Sequence, residues 1–149
     1  MPAAVVAFAF GSPNTLRSNR AIAEMASAMA AALGLPVYAV LDVCLLRQGV
    51  EVHLTAENYP ERVPTLREAR GAVAWALERR IDLFWLCAAT PHVARCRRDL
   101  AYAIRERDAA IAVKIAPDAG LHPDDFWFCP DSTQLDTRIS ACGDCGRLF

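Results

Sequence analysis

Two stretches of this chain are apolar with almost no alternation, residues 3–10 (AAVVAFAF) and residues 81–89 (IDLFWLCAA). A strand with one face in water places polar residues at every second position. Runs like these belong to strands covered on both faces, as in a parallel sheet between helical layers. Val37 to Val43 and Ala110 to Ile115 read as two more strands, and Val50 to Leu54 as a short edge strand.

The segments between them carry a helical period. Ile22, Met25, Ala26, Met29 and Leu33 recur at helical spacing, and Gly34 stops that helix. Thr65-Leu66-Arg67-Glu68 has the form of a capping box, with Thr65 as cap and Leu66, Ala69, Val73, Ala76 and Leu77 as the buried stripe. Ser12-Pro13 and Thr90-Pro91 have the form of a cap followed by a first-turn proline, each after a strand. Val93, Cys96, Leu100, Ala103 and Ile104 mark the helix after Thr90. The order of elements predicts an α/β, Rossmann-like three-layer fold. Its sheet is mainly parallel, with four to five strands and helices on both faces. At 149 residues the chain fits one domain, 1–149. A tail from about residue 131 shows no period and reads as flexible. Phe126-Trp127-Phe128 reads as a short last strand.

Hydrophobic residues make up 54 % and charged residues 22 % of the chain, which excludes a disordered one. A net charge of -1 gives no global field for nucleic acid or anionic lipid, so any anion site must be local. The apolar start is short, lacks a basic leader and is stopped by Gly11-Ser12-Pro13. It therefore predicts a buried strand rather than a signal or membrane span, and a cytoplasmic protein.

In sheets of this kind, ligands bind beyond the carboxyl ends of the strands. Four groups of residues compete for that role. Gly11, Ser12, Asn14, Arg17 and Arg20 follow the first strand, where helix-start N–H groups and arginines can hold an anion. The plain alternative is an ordinary capped helix with solvated arginines. Thr90, His92 and Arg95 occupy the equivalent junction after the third long strand. There His92 can move a proton as a catalytic acid or base, and Arg95 can bind charge. The alternative is a surface histidine, with Arg95 paired to Asp99. Glu57, beside Asn58 in the long loop before Thr65, can accept from a ribose or act as a base, or it is merely solvated. Glu68 reads as a helix cap, and Asp42 is a weaker candidate at a strand end.

Finally, Cys142-Gly143-Asp144-Cys145 is half of a zinc knuckle, which Cys129 and His122 would have to complete. A redox dithiol and a plain reduced tail are the alternatives. Trp75, Trp85 and Trp127 fall on core-like segments.

These junctions together resemble the YdcF-like (SanA/ElyC-like) bacterial domain family of poorly defined function. The likeness covers Ala4 to about Ile115: the first strand and glycine turn (Val5 to Gly11), Glu57 before the Thr65-Leu66-Arg67-Glu68 helix start, and His92 with Arg95 opening a helix. Pro64 stands where that family usually has Asn, and Glu68-Ala69 where it has Glu-Asn. The resemblance implies a Rossmann-like fold and a nucleotide-like ligand, with S-adenosylmethionine or a phosphorylated metabolite as cofactor or substrate. The leading expectation is thus a small-ligand-binding domain. A metal or thiol-redox protein using zinc is the second expectation. The third is a homodimer paired through an exposed Trp127 edge.

Overall fold

A computed structural model describes residues 2–45, 49–55, 64–117 and 127–138. The elements run β1 (Ala3–Ala7), α1 (Arg17–Leu33), β2 (Val37–Ala39), β3 (Val52–Leu54), α2 (Thr65–Glu78), β4 (Leu83–Cys87), α3 (Val93–Glu106) and β5 (Ala112–Ile115). A short 3₁₀ turn follows at Leu135–Thr137. All strand pairs are parallel, in the order β3-β2-β1-β4-β5. This is a three-layer, Rossmann-like α/β fold, and its strands are shorter than the apolar runs that announced them.

The unbroken apolar pattern of β1 has a direct cause. Ala4, Val6 and Phe8 face α2 and α3, where they join Val73, Ala76, Leu100 and Ala103. Val5, Ala7 and Phe10 face the other way, onto Ile22, Met25 and Ala26 of α1. Both faces are dry, so neither register carries a polar residue. Helix α1 ends as expected at Gly34, in the left-handed region at φ 66°, whose N–H donates to the Ala30 carbonyl. No described helix is long and apolar enough to cross a membrane.

Three cap assignments are corrected. Helix α1 begins at Arg17, not at Ser12-Pro13, and the Ser12–Pro13 peptide is cis. The loop before it is satisfied from inside the helix instead. The Asn19 side chain accepts from the Phe10 N–H at 2.9 Å and donates to the Gly11 and Pro13 carbonyls, each at 3.0 Å. Ser18 donates to the Phe10 carbonyl at 2.8 Å. In α3, the Thr90-Pro91 pair forms a turn, and His92 itself is the cap residue; the His92 N–H donates to Ala89, and its carbonyl accepts from Cys96. In α2, Pro64 holds the cap position, with its carbonyl accepting from the Glu68 N–H. Thr65 is therefore the first helical residue, and Glu68 is buried rather than reaching back to cap.

The end of the chain departs furthest from expectation. Trp127 and Phe128 are not in a strand, and they are buried against the α1 side of the core, at 1 % and 4 % exposure. Trp127 therefore does not supply the exposed edge expected for a homodimer. At the start of the segment expected to be flexible, Ser132 and Thr137 are buried and hydrogen-bonded to each other at 2.6 Å. Residues 139–149 lie outside the described part.

Candidate functional site

The strand order reverses direction between β1 and β4. Beyond their carboxyl ends, one strand leads to α1 on one face and the other to α3 on the opposite face, the place where sheets of this kind form a ligand crevice. Phe10 and His92 line it from either side, with ring centroids 5.7 Å apart.

The side of the crevice after β1 is closed by the chain itself. Gly11, at φ 87°, lies so close to the C-terminal segment that a Cβ there would fall 2.7 Å from Ser132 Oγ and 2.8 Å from Thr137 Oγ1. The Ser12 N–H donates to Ser132 Oγ at 3.3 Å, and the Ser12 carbonyl accepts from the Thr133 N–H at 2.8 Å. Phe128 packs edge-on against Phe10 at 5.6 Å. Gly11 and Ser12 are thus engaged by residues 127–138. Asn14, Arg17 and Arg20 remain at the surface.

The side after β4 is different. His92 is half-buried, and its two ring nitrogens meet two other elements of the seam between α2 and α3. Nε2 lies 3.4 Å from Thr65 Oγ1, in the first turn of α2. Nδ1 lies 3.5 Å from Cys96 Sγ, one turn further along α3. Thr65 and Cys96 are buried, at 6 % and 0 % exposure. Burial pushes the Cys96 thiol far up, and the nearby Glu68 and Asp99 carboxyls push it the same way. Cys96 is therefore a neutral S–H beside the imidazole and not a thiolate nucleophile.

Glu68, one turn after Thr65, is 5 % exposed, and its carboxyl is raised well above 4.5, first by burial and then by Asp42. Thr90 and Arg95 are exposed at the same junction. The Asp99 carboxylate pairs with Arg98, at 3.0 Å, so the proposed Arg95–Asp99 pairing is not the one formed.

The arginines share a feature. Arg17 and Arg20 of α1, Arg67 of α2 and Arg95 of α3 all sit in or next to the first turn of their helices, at the same edge of the sheet. Neither α1 nor α3 has an acid in its first turn, and the Glu68 of α2 is buried. Helix dipoles favour the reverse, by about 0.3–1 kcal/mol per charge.

Among the described residues, no group of three or more His, Cys, Asp or Glu side chains could hold a metal ion. Cys129 is buried, with its thiol 3.7 Å from Ser18 Oγ, between the last segment and α1. Glu57, Asn58, His122, Cys142 and Cys145 lie outside the described residues. Sequence reasoning passed over two members of the seam. Glu68 was taken for a cap and Cys96 for a core hydrophobe. Their spacings, three residues after Thr65 and four after His92, are the signals that place each pair on one helix face.

No family model matches the chain, and neither the curated proteins nor the solved structures contain a match.

Proposed function

We propose that this chain is a small-ligand-binding α/β domain. Its ligand is an anionic, nucleotide-like or phosphorylated metabolite taken at the seam between α2 and α3, with His92 as the group that moves or shares a proton. One observation carries the reading: a half-buried histidine at the topological switch point has both ring nitrogens next to polar side chains from two helix starts. The arginines near the three helix starts support an anion in particular, since helix N-termini and guanidinium groups both favour negative charge. The YdcF-like resemblance agrees in position, since Thr65, His92 and Arg95 all fall here. Cys87, Cys96 and Cys129 are buried free thiols, which suits a reducing, cytoplasmic setting.

Native mass spectrometry of the purified chain, compared with His92→Ala and Arg95→Ala, tests the reading. The expected result is a co-purifying small anion in the parent, lost in both variants while the melting temperature stays nearly unchanged. A chain that carries no ligand, together with variants whose only effect is to melt earlier, would refute it.

A further inference from the structure

The proposed function leaves one polar group of the seam unused. Glu68 is buried one helical turn from Thr65, and its Oε1 has no hydrogen-bond partner among the described residues. The charged group acting on Glu68 is Asp42, in the turn after β2, and Glu68 in turn neighbours the Cys96 thiol. Neither neighbour is a cation. Arg67 and Arg95, on the same two helix starts, are both exposed. A buried carboxyl that faces another acid and lacks a cation keeps its proton, because an unpaired buried charge costs far more than a neutral group. In that state it offers an O–H donor as well as acceptor oxygens.

We propose that Glu68 meets the ligand as a neutral hydrogen-bond donor: its carboxylic O–H, on the helix turn that Thr65 opens, reaches an oxygen of a bound oxyanion. The inference rests on the function proposed above and narrows its ligand to one bearing a phosphate or carboxylate group. A cationic ligand would instead call for the ionised carboxylate. The first-turn arginines and three helix N-termini at this edge oppose that choice.

The same proton sets a pH dependence of stability. A carboxyl whose folded value is raised contributes stability that is fully present below its ordinary value of 4.5 and is lost as pH rises through the folded value. Parent stability should therefore fall over that window relative to Glu68→Gln, whose amide does not titrate. The other groups facing this seam, Asp42, His92, Cys96 and Asp99, are common to both chains, so the difference reports Glu68 together with its coupling to Asp42 and Cys96.

The deciding experiment is calorimetric titration of the full chain with inorganic phosphate and, separately, malonate. It compares the parent with Glu68→Gln, which keeps a neutral donor, and Glu68→Ala, which removes it. The parent and Glu68→Gln should bind within about threefold of each other, and Glu68→Ala should bind about tenfold or more weakly, the loss of one hydrogen bond to a charged group. Which probe binds identifies the oxyanion as phosphate or carboxylate.

Equal binding by Glu68→Ala overturns this inference and leaves the ligand-binding reading standing. Loss in Glu68→Gln as deep as in Glu68→Ala also overturns it, because a charge and not a donor is then required. A parent that binds neither probe overturns both. Should Glu68→Ala fail to fold, carbon-13 spectra of the labelled parent decide: the Glu68 carboxyl carbon should report the protonated form at pH 7, and an ionised one overturns the inference.

Discussion

The junctions after β1 and after β4 read alike in sequence, each a small hydroxyl residue before a proline and then a helix with arginines near its start. They fold to opposite ends. At the first, Asn19 and Ser18 reach back to tie down the backbone of residues 10–13, and Ser132, Thr133 and Thr137 close over Gly11 and Ser12 from outside. At the second, the buried Thr65 and Cys96 side chains meet the ring nitrogens of half-buried His92, while Glu68 Oε1 is left without a partner among the described residues. The same local signal serves integrity in one place and a candidate site in the other, and what separates them is which distant segment packs on top.

The comparison breaks first at Gly11. Ala there meets a left-handed backbone, costing about 1–2 kcal/mol, and overlap with Ser132, Thr137 and Leu16, costing about 1–3 more. Denaturant unfolding of Gly11→Ala should show a loss of about 3 kcal/mol. Gly34→Ala is the control, because its φ is also positive but nothing lies within 4 Å of an added Cβ. It should lose only about 1 kcal/mol, the backbone share alone. Equal losses in the two would mean that the C-terminal segment does not press on Gly11.

Asn19→Ala tests the same junction from inside the helix. It leaves the Phe10 N–H and the Gly11 and Pro13 carbonyls without their side-chain partner, and it should cost about 2–3 kcal/mol by the same measurement. Faster amide exchange at Phe10 should accompany the loss. A variant as stable as the parent would show that the loop can satisfy itself.

Much of the fold was legible because burial writes itself into composition. The double-sided burial of β1 and β4 required unbroken apolar runs, and the α1 stop at Gly34 required a residue tolerant of positive φ. The cap assignments failed for the opposite reason. A Ser-Pro or Thr-Pro pair satisfies local geometry in several ways, and Asn19 decided among them from nine residues beyond Phe10. The closing of the first junction depended on Ser132, 120 positions from Ser12, which no local pattern can announce. Of the candidate site, His92 and Thr65 were visible as helix starts. Glu68 was visible but misassigned, since a capping glutamate and a buried acid occupy the same place in the sequence and differ only in what packs over them.

The smallest expected effect is the most telling about the second junction. His92→Ala removes two long polar contacts, at 3.4 and 3.5 Å, together with the ring packing on Phe10, and should cost about 1 kcal/mol. Arg95 is exposed, and the nearby Asp99 is already paired with Arg98, so Arg95→Ala should change stability by no more than about 0.5 kcal/mol. Removing a cation from the first turn of α3 relieves an unfavourable dipole contact, which places the sign of that small change on the stabilising side. A residue whose loss slightly stabilises the chain while weakening phosphate or malonate binding is held there for the ligand. If Arg95→Ala instead destabilises by as much as Asn19→Ala, the second junction is a structural joint like the first, and the contrast between them disappears.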